Sequence, residues 1–127
     1  MPALESVSSP DIATPAGTSS PGIVSGGFLF VAGQGPFDRE GNLVGEDFAE
    51  QLRQTFRNVQ AIAEAAGTSL ENTVRIGVYL HRMEDWAELN VLSKEFLTEP
   101  YPARTTIQAD LSGFLIEVDA VIALGDR

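Results

Sequence analysis

The 127-residue chain has no cysteine and one histidine, His81, and its 8 basic side chains stand against 18 acidic ones for a formal net charge of −10. Without cysteine there is no disulfide framework, thiolate metal site or cysteine nucleophile, and a reducing compartment, the cytoplasm, is the simplest expectation. A field of this sign repels a phosphate backbone unless a basic patch overcomes it. The eight bases (Arg39, Arg53, Arg57, Arg75, Arg82, Lys94, Arg104 and Arg127) are scattered, most with acids nearby, so no nucleic-acid partner is expected. No stretch approaches the roughly 18 consecutive apolar residues of a membrane span, and the opening MPALESVSSP lacks a basic then apolar leader, so a soluble, unexported protein is expected. The catalytic signatures G-x-S-x-G, P-loop, H-E-x-x-H and the dinucleotide fingerprint are missing too. Glu64, Glu88 and Glu95 fall at mid-helix solvent positions without a ligand spacing, so no metal site is expected.

What is present is a chain of one domain's size, 1–127, with 43% hydrophobic residues, enough to bury a core without staples. Residues 1–27 are rich in Ser, Pro, Gly, Thr and Ala and read as a loosely structured arm, with one short edge strand near Ala3 to Val7. The sequence leaves the order of 1–20 open. FLFVA, Phe28 to Ala32, is bounded by glycines and fits a buried strand, followed by a turn-rich return with a short strand from Asn42 to Val44. From Asp47 to Ala66, the residues Phe48, Leu52, Phe56, Val59, Ile62 and Ala66 recur at spacings of three or four, which predicts a helix capped by Asp47 and stopped at Gly67. Val74, Ile76, Val78 and Leu80 alternate with Arg75, Gly77 and Tyr79, the period of a strand covered on one face. A second helix is predicted from Glu84 to Leu97, with Trp86, Leu89, Ser93, Phe96 and Leu97 on one side, ended by Pro100 and Pro102. Arg104 to Ala109 and Leu115 to Leu124 complete the strands. The order β, β, α, β, α, β, β predicts an α+β architecture, one sheet with two helices packed on one face. On the last strand Leu115, Val121 and Ala123 share a side with Glu117 and Asp119, a half-apolar outer face that suits burial against another subunit.

Three residues bear on chemistry. His81 falls at a strand-to-helix turn and reads as a solvated or hydrogen-bonded turn residue. Arg104 follows Tyr-Pro-Ala at the start of a strand, where a stiffened approach delivers a planar fork suited to bidentate capture of a carboxylate, on the face shared with Thr106 and Gln108. Glu117 sits inside the apolar run LIEVDAVIAL, where partial burial makes its charge costly unless it is paired or used. Pairing of Arg104 with Glu117 across neighbouring strands and use of both in a site are open readings of the same residues.

The segments FLFVAGQGPFDREGNLVG, FRNVQAIAEAAGTSLENTVRIGVYL with Asn58 and Gly67, Trp86 to Phe96 with Asn90, PARTTIQADL and IEVDAVIA, in this order, resemble the reactive intermediate deaminases (the RidA or YjgF family, often labelled endoribonuclease L-PSP) from about Gly17 onward. The resemblance implies a chorismate-mutase-like α+β fold, a homotrimer whose sheets form a central barrel, and three clefts between subunits. It also implies cofactor-independent hydrolysis of 2-imino or 2-enamino acids to 2-oxo acids and ammonia. In that family the arginine of the P-A-R motif, matched by Arg104, clamps the substrate carboxylate. The glutamate of the I-E-x-[ED]-A strand, matched by Glu117, positions water or relays a proton, and backbone groups around Thr106 complete the cleft, with Gly33 beside it.

The chain departs from the family pattern at two positions. Deaminating members usually carry a tyrosine in the arm where this chain has Ser19, and a serine before the G-Q pair where it has Ala32. A cleft that keeps its clamp and acid but loses an aromatic wall and a hydroxyl is roomier and less polar, which favours a larger carboxylate. A non-catalytic binding protein for small carboxylates on the same scaffold is the alternative function. A ribonuclease is the least favoured, given the net charge and the single histidine.

Overall fold

The computed structural model describes residues 2–125 and places Arg127 outside them. The helix with the clearest period, α1 (Phe48–Ala65), is the keel of the fold. The Asp47 side chain accepts the Glu50 N–H at 2.9 Å and caps its start, and the Ala66 N–H returns to the carbonyls of Ile62 and Ala63 at its end. Phe48, Leu52, Phe56, Val59 and Ile62 are buried, and the helix lies against the middle of a six-stranded sheet.

The strands are β1 (Glu5–Val7), β2 (Gly22–Ser25), β3 (Phe28–Gln34), β4 (Thr73–Leu80), β5 (Ala103–Gln108) and β6 (Ile116–Ala123), in the spatial order β1-β2-β3-β6-β4-β5. Every pair is antiparallel except β4 with β5. That parallel pair requires a crossover, supplied by α2 (Trp86–Leu92) and the short 3-10 turns Met83–Asp85 and Ser93–Glu95 that flank it. The crossover is pinned to α1 by stacked Phe56 and Phe96 rings, 5.2 Å between centroids, and by a two-pronged Arg53–Glu95 pair at 2.9 and 3.0 Å. Leu29, Val31, Ile76, Val78, Leu80, Ile116, Val118, Ala120 and Ile122 form the helix-facing side of the sheet and meet α1 in one core. The result is the α+β arrangement of a mixed sheet with two helices.

Among the described residues, nothing covers the opposite side of the sheet. Phe28, Phe30 and Ile107 are 38%, 47% and 48% exposed there. They share that side with Tyr79, Glu117, Asp119 and Val121, because cross-strand partners point the same way. The half-apolar outer face expected for the last strand is therefore a property of the whole sheet.

Four local expectations need correction. The second strand is not Asn42 to Val44, which makes only a single bridge, Phe37 to Leu43; the Asp38 carboxylate accepts the N–H groups of Glu40 and Asn42 and curls that segment into a tight turn. It lies instead inside the expected loose arm, at β2, and together with β1 it ties the arm into the sheet. Gly22 is there for closeness rather than looseness, since a Cβ would stand 3.0 Å from the Ile62 and Leu29 side chains. In β4 a register shift between Thr73 and Arg75 turns Val74 outward, 47% exposed, and puts Thr73 in the buried position. The expected helix from Glu84 to Leu97 is α-helical only over Trp86–Leu92, with a 3-10 turn at each end, and Trp86, grouped with Leu89 on one side of it, is 40% exposed with its ring turned toward Arg104.

Candidate functional site

Glu117 is placed by β6, the central strand, on the uncovered side of the sheet. On the neighbouring β3 the register slips: Val31 pairs with Ala120 but Gln34 with Val118, so Ala32 and Gly33 share one opposing residue. This bulge swings the strand aside at Gly33, where any Cβ would overlap the Glu117 carboxylate. A glycine there is what lets the acid stand against the strand backbone. Beside it opens a cavity of about 270 Å³, to which Ser19 and Pro21 come from the arm, Ala32 and Gly33 from the bulge, Asn58 from α1, and Glu117 from β6. The structure thus gathers Ser19, Ala32, Gly33 and Glu117 from distant stretches of sequence. The arm reaches the cavity because the Ala32 N–H donates to the Pro21 carbonyl at 2.9 Å.

Glu117 has no ion-pair partner among the described residues. Half-burial raises its pKa above the ordinary carboxylate value, and the negative charge of Asp119 raises it further. Of the two opposed influences open from sequence, desolvation and a neighbouring arginine, desolvation prevails within the chain. Asp119 is satisfied instead: it accepts the Gly77 N–H at 3.0 Å and the Tyr79 hydroxyl at 2.9 Å, with an Arg75 Nη1 at 3.8 Å. The hydrogen bond to Asp119 is the main reason that the Tyr79 phenol titrates above its usual value.

Arg104 lies elsewhere. β5 is the edge strand, and Arg104 pairs in register with Ile76 and through it with Ala120, whereas Glu117 pairs with Tyr79 and through it Ile107. The two residues project from opposite faces of the sheet and do not pair with each other. Arg104 is held on the helix side, its Nη1 donating to Asn90 Oδ1 at 2.8 Å and its Cζ 5.1 Å from the centroid of the Trp86 ring. It borders a second cavity, of about 310 Å³, lined also by Ile76, Asn90, Lys94, Leu97 and Tyr101. Thr106 is on the same face, and its buried Oγ1 has no hydrogen-bond partner among the described residues. Because β5 is an edge strand, its outer backbone N–H and C=O groups have no strand partner among the described residues.

Sequence reasoning missed the parts that hold these groups. The spacing of Trp86 says only that it shares one side of a helix with Leu89, and Asn90 and Asn58 enter only as family motif residues. Asn58 is buried and donates to the carbonyls of Gly35 and Phe37 at 3.0 and 2.8 Å, fixing the segment just after the bulge. His81 is the hydrogen-bonded turn residue expected of it, its Nδ1 accepting the Leu111 N–H at 3.3 Å. No group of three or more metal-ligating side chains occurs among the described residues, and no helix of the structure is long and apolar enough to cross a membrane.

The sequence profile of the endoribonuclease L-PSP family matches residues 11–124. The chain belongs to this family, which is the reactive intermediate deaminase (RidA/YjgF) family. A RutC family protein of Pyrococcus horikoshii is 40% identical over 110 residues, 84% of this chain and 87% of its own. A 2-iminobutanoate/2-iminopropanoate deaminase of Salmonella typhimurium is 34% identical over 90 residues, 68% of this chain and 70% of its own. The crystal structure of RidA from an Antarctic Psychrobacter superposes with a TM-score of 0.88 at 34% identity, covering 94% of this chain and 98% of that one. The YjgF-type α+β fold and the family's imine deaminase character are thereby set on independent grounds from the cavity geometry.

Proposed function

We propose that the protein is a hydrolytic deaminase of 2-imino or 2-enamino carboxylic acids, working without a cofactor as a cytoplasmic homotrimer, with Arg104 and Glu117 in each reaction centre contributed by different subunits. The observation that carries this reading is the pair of half-sites on one chain: a half-buried acid with no ion-pair partner among the described residues, set against a bulged strand on one face, and a held guanidinium at the sheet edge on the other. Neither half suffices alone. The uncovered sheet face with Phe28, Phe30 and Ile107 is the surface through which copies would meet, and the edge strand carrying Arg104 and Thr106 would then reach the neighbour's Glu117 cavity.

The reaction asks little more. In an imine R–C(=NH)–COO⁻ the carbon is already electrophilic, so Arg104 fixes the carboxylate through charge-assisted hydrogen bonds and sets the carbon's position. Glu117 takes a proton from the attacking water as the C–O bond forms and passes it to the nitrogen, giving a carbinolamine; a second transfer through the same carboxylate, from the new hydroxyl to the nitrogen, breaks the C–N bond, so that ammonia leaves and the C–OH becomes the carbonyl of the 2-oxo acid. Burial, which raises the Glu117 pKa above the ordinary carboxylate value, makes this carboxylate a stronger proton acceptor than an exposed one. Ser19, Ala32 and Gly33 line the Glu117 cavity, where the small side chains at 19 and 32 leave room for a larger substituent, and Thr106 would come to it with Arg104 from the neighbouring copy.

The same small residues favour a second reading, a binding protein that retains a 2-oxo acid without turning it over. The ribonuclease in the family's label finds little support in a net charge of −10. The deciding experiment generates imines from several amino acids with an amino acid oxidase and follows their loss beside the spontaneous rate. Acceleration that Arg104→Ala and Glu117→Ala both abolish supports the deaminase. Tight 2-oxo acid binding with no acceleration for any imine leaves the binding protein.

A further inference from the structure

The aromatic ring packed against Arg104 is the chain's only tryptophan, and it is two-fifths exposed although it stands at a position whose spacing belongs to the buried side of a helix. It is not filling the core; Leu89, one turn on, is the fully buried residue of α2. Its ring lies 5.1 Å from the guanidinium carbon, within the range of a cation–π contact. Asn90, one turn further along α2, accepts from Nη1 at 2.8 Å. An arginine on an edge strand has many rotamers, and a carboxylate that must order it gives up affinity in doing so. Here one α2 side chain packs its ring against the guanidinium and another holds one corner. The N–H groups on Nε and Nη2 are not engaged by either of these contacts, a pair with the side-on geometry for a carboxylate.

We infer that Trp86 is a positioning residue for carboxylate recognition, acting through the cation–π contact to pre-set the Arg104 fork before ligand arrives. The inference rests on the proposed role of Arg104 as the carboxylate clamp, and it specifies that the ring's negative face, rather than its bulk, does the holding.

A single tryptophan allows a clean test, since biosynthetic replacement by fluorinated tryptophans alters only this ring and progressively weakens its negative face at nearly constant shape. Binding of 2-oxobutanoate is measured by calorimetry across the unsubstituted, mono-, di- and trifluorinated proteins. The expected result is a stepwise rise in Kd reaching about tenfold, with Trp86→Phe within about threefold of the parent and Trp86→Leu at or beyond the trifluorinated protein. With an imine substrate, KM follows the same series while kcat holds. A Kd that does not move with fluorination, or a Trp86→Leu protein that binds as tightly as the parent, overturns the inference. If the unsubstituted protein neither binds 2-oxobutanoate nor hydrolyses imines, the proposed function fails, and the Arg104 Nε–H resonance still decides the positioning role. Its order falls on Trp86→Leu substitution if the ring holds the guanidinium, and an unchanged value refutes it.

Discussion

Arg104 and Glu117 stand one strand apart in the same sheet and on opposite faces of it, because β4 between them pairs Ile76 with the first and Tyr79 with the second. A one-residue difference in parity along a strand is a full reversal of direction, and no rotamer undoes it. If both residues act on one substrate, each must come from a different copy of the chain. Arg104→Ala and Glu117→Ala proteins, each inactive alone, are therefore expected to regain activity when co-expressed or unfolded and refolded together. Random assembly leaves about a quarter of the sites intact, so recovery near that fraction is the expected reading. Mixed oligomers that stay as inactive as the separate variants would place both residues in one subunit's site or remove one from the chemistry.

Gly33→Ala puts a methyl group where the Glu117 carboxylate lies. The bulge faces an open cavity, so the cheaper relief is for the acid to swing away, not for the sheet to part. The expected outcome is a fall in kcat/KM of about a hundredfold with the circular dichroism spectrum and thermal midpoint little changed, the signature of a displaced acid. Loss of the fold instead would show that the close approach serves packing.

The raised pKa of Glu117 carries a sign that can be measured. The folded protein holds this proton more tightly than the unfolded chain, so the contribution to stability is complete below the unfolded value and is lost as pH rises through the folded one. Glu117→Gln, which never ionises, should gain on the parent in thermal midpoint as pH climbs across that window and keep a constant lead above it. Asp119→Asn removes the neighbouring negative charge and should move the Glu117 carboxyl resonance to a lower titration midpoint by NMR. An unmoved midpoint would leave burial as the sole cause.

Asn58 ties α1 to the carbonyls of Gly35 and Phe37 from a buried position and also borders the Glu117 cavity. Replacing it by alanine strands two carbonyls, at an expected cost of about 2 kcal/mol in urea unfolding with an unchanged m-value. A loss below about 0.5 kcal/mol would mean that water reaches those carbonyls.

Periodicity located what depends on burial. The spacing of Phe48, Leu52, Phe56, Val59 and Ile62 found α1, and the alternation in IEVDAVIA found β6 with the side of each residue. Composition misled at β2, because the Pro, Gly and Ser around Ile23 and Val24 resemble loop, whereas Gly22 is small to admit Leu29 and Ile62. Arg104 and Glu117 could be singled out one at a time, from a stiffened approach and from an acid in an apolar strand. That they face apart depends on β5 joining β4 in parallel while β6 joins it antiparallel, a pairing of segments far apart in the chain that no local pattern encodes. Trp86 escaped for a related reason: its contact lies on another strand, and helical spacing says only which side of α2 it occupies.

The extra residue in β3 also works as an expansion joint. Upstream of it Leu29 and Val31 stay locked to Ile122 and Ala120 in the core, while downstream of it Gln34 pairs again with Val118 and Asn58 holds the carbonyls of Gly35 and Phe37, so that the offset is confined to Ala32 and Gly33 in the wall of the Glu117 cavity. Changes in length or bulk at Ala32 and Gly33 are thus absorbed before they reach the rows of buried side chains, and the cavity can be reshaped without disturbing the sheet that supports it.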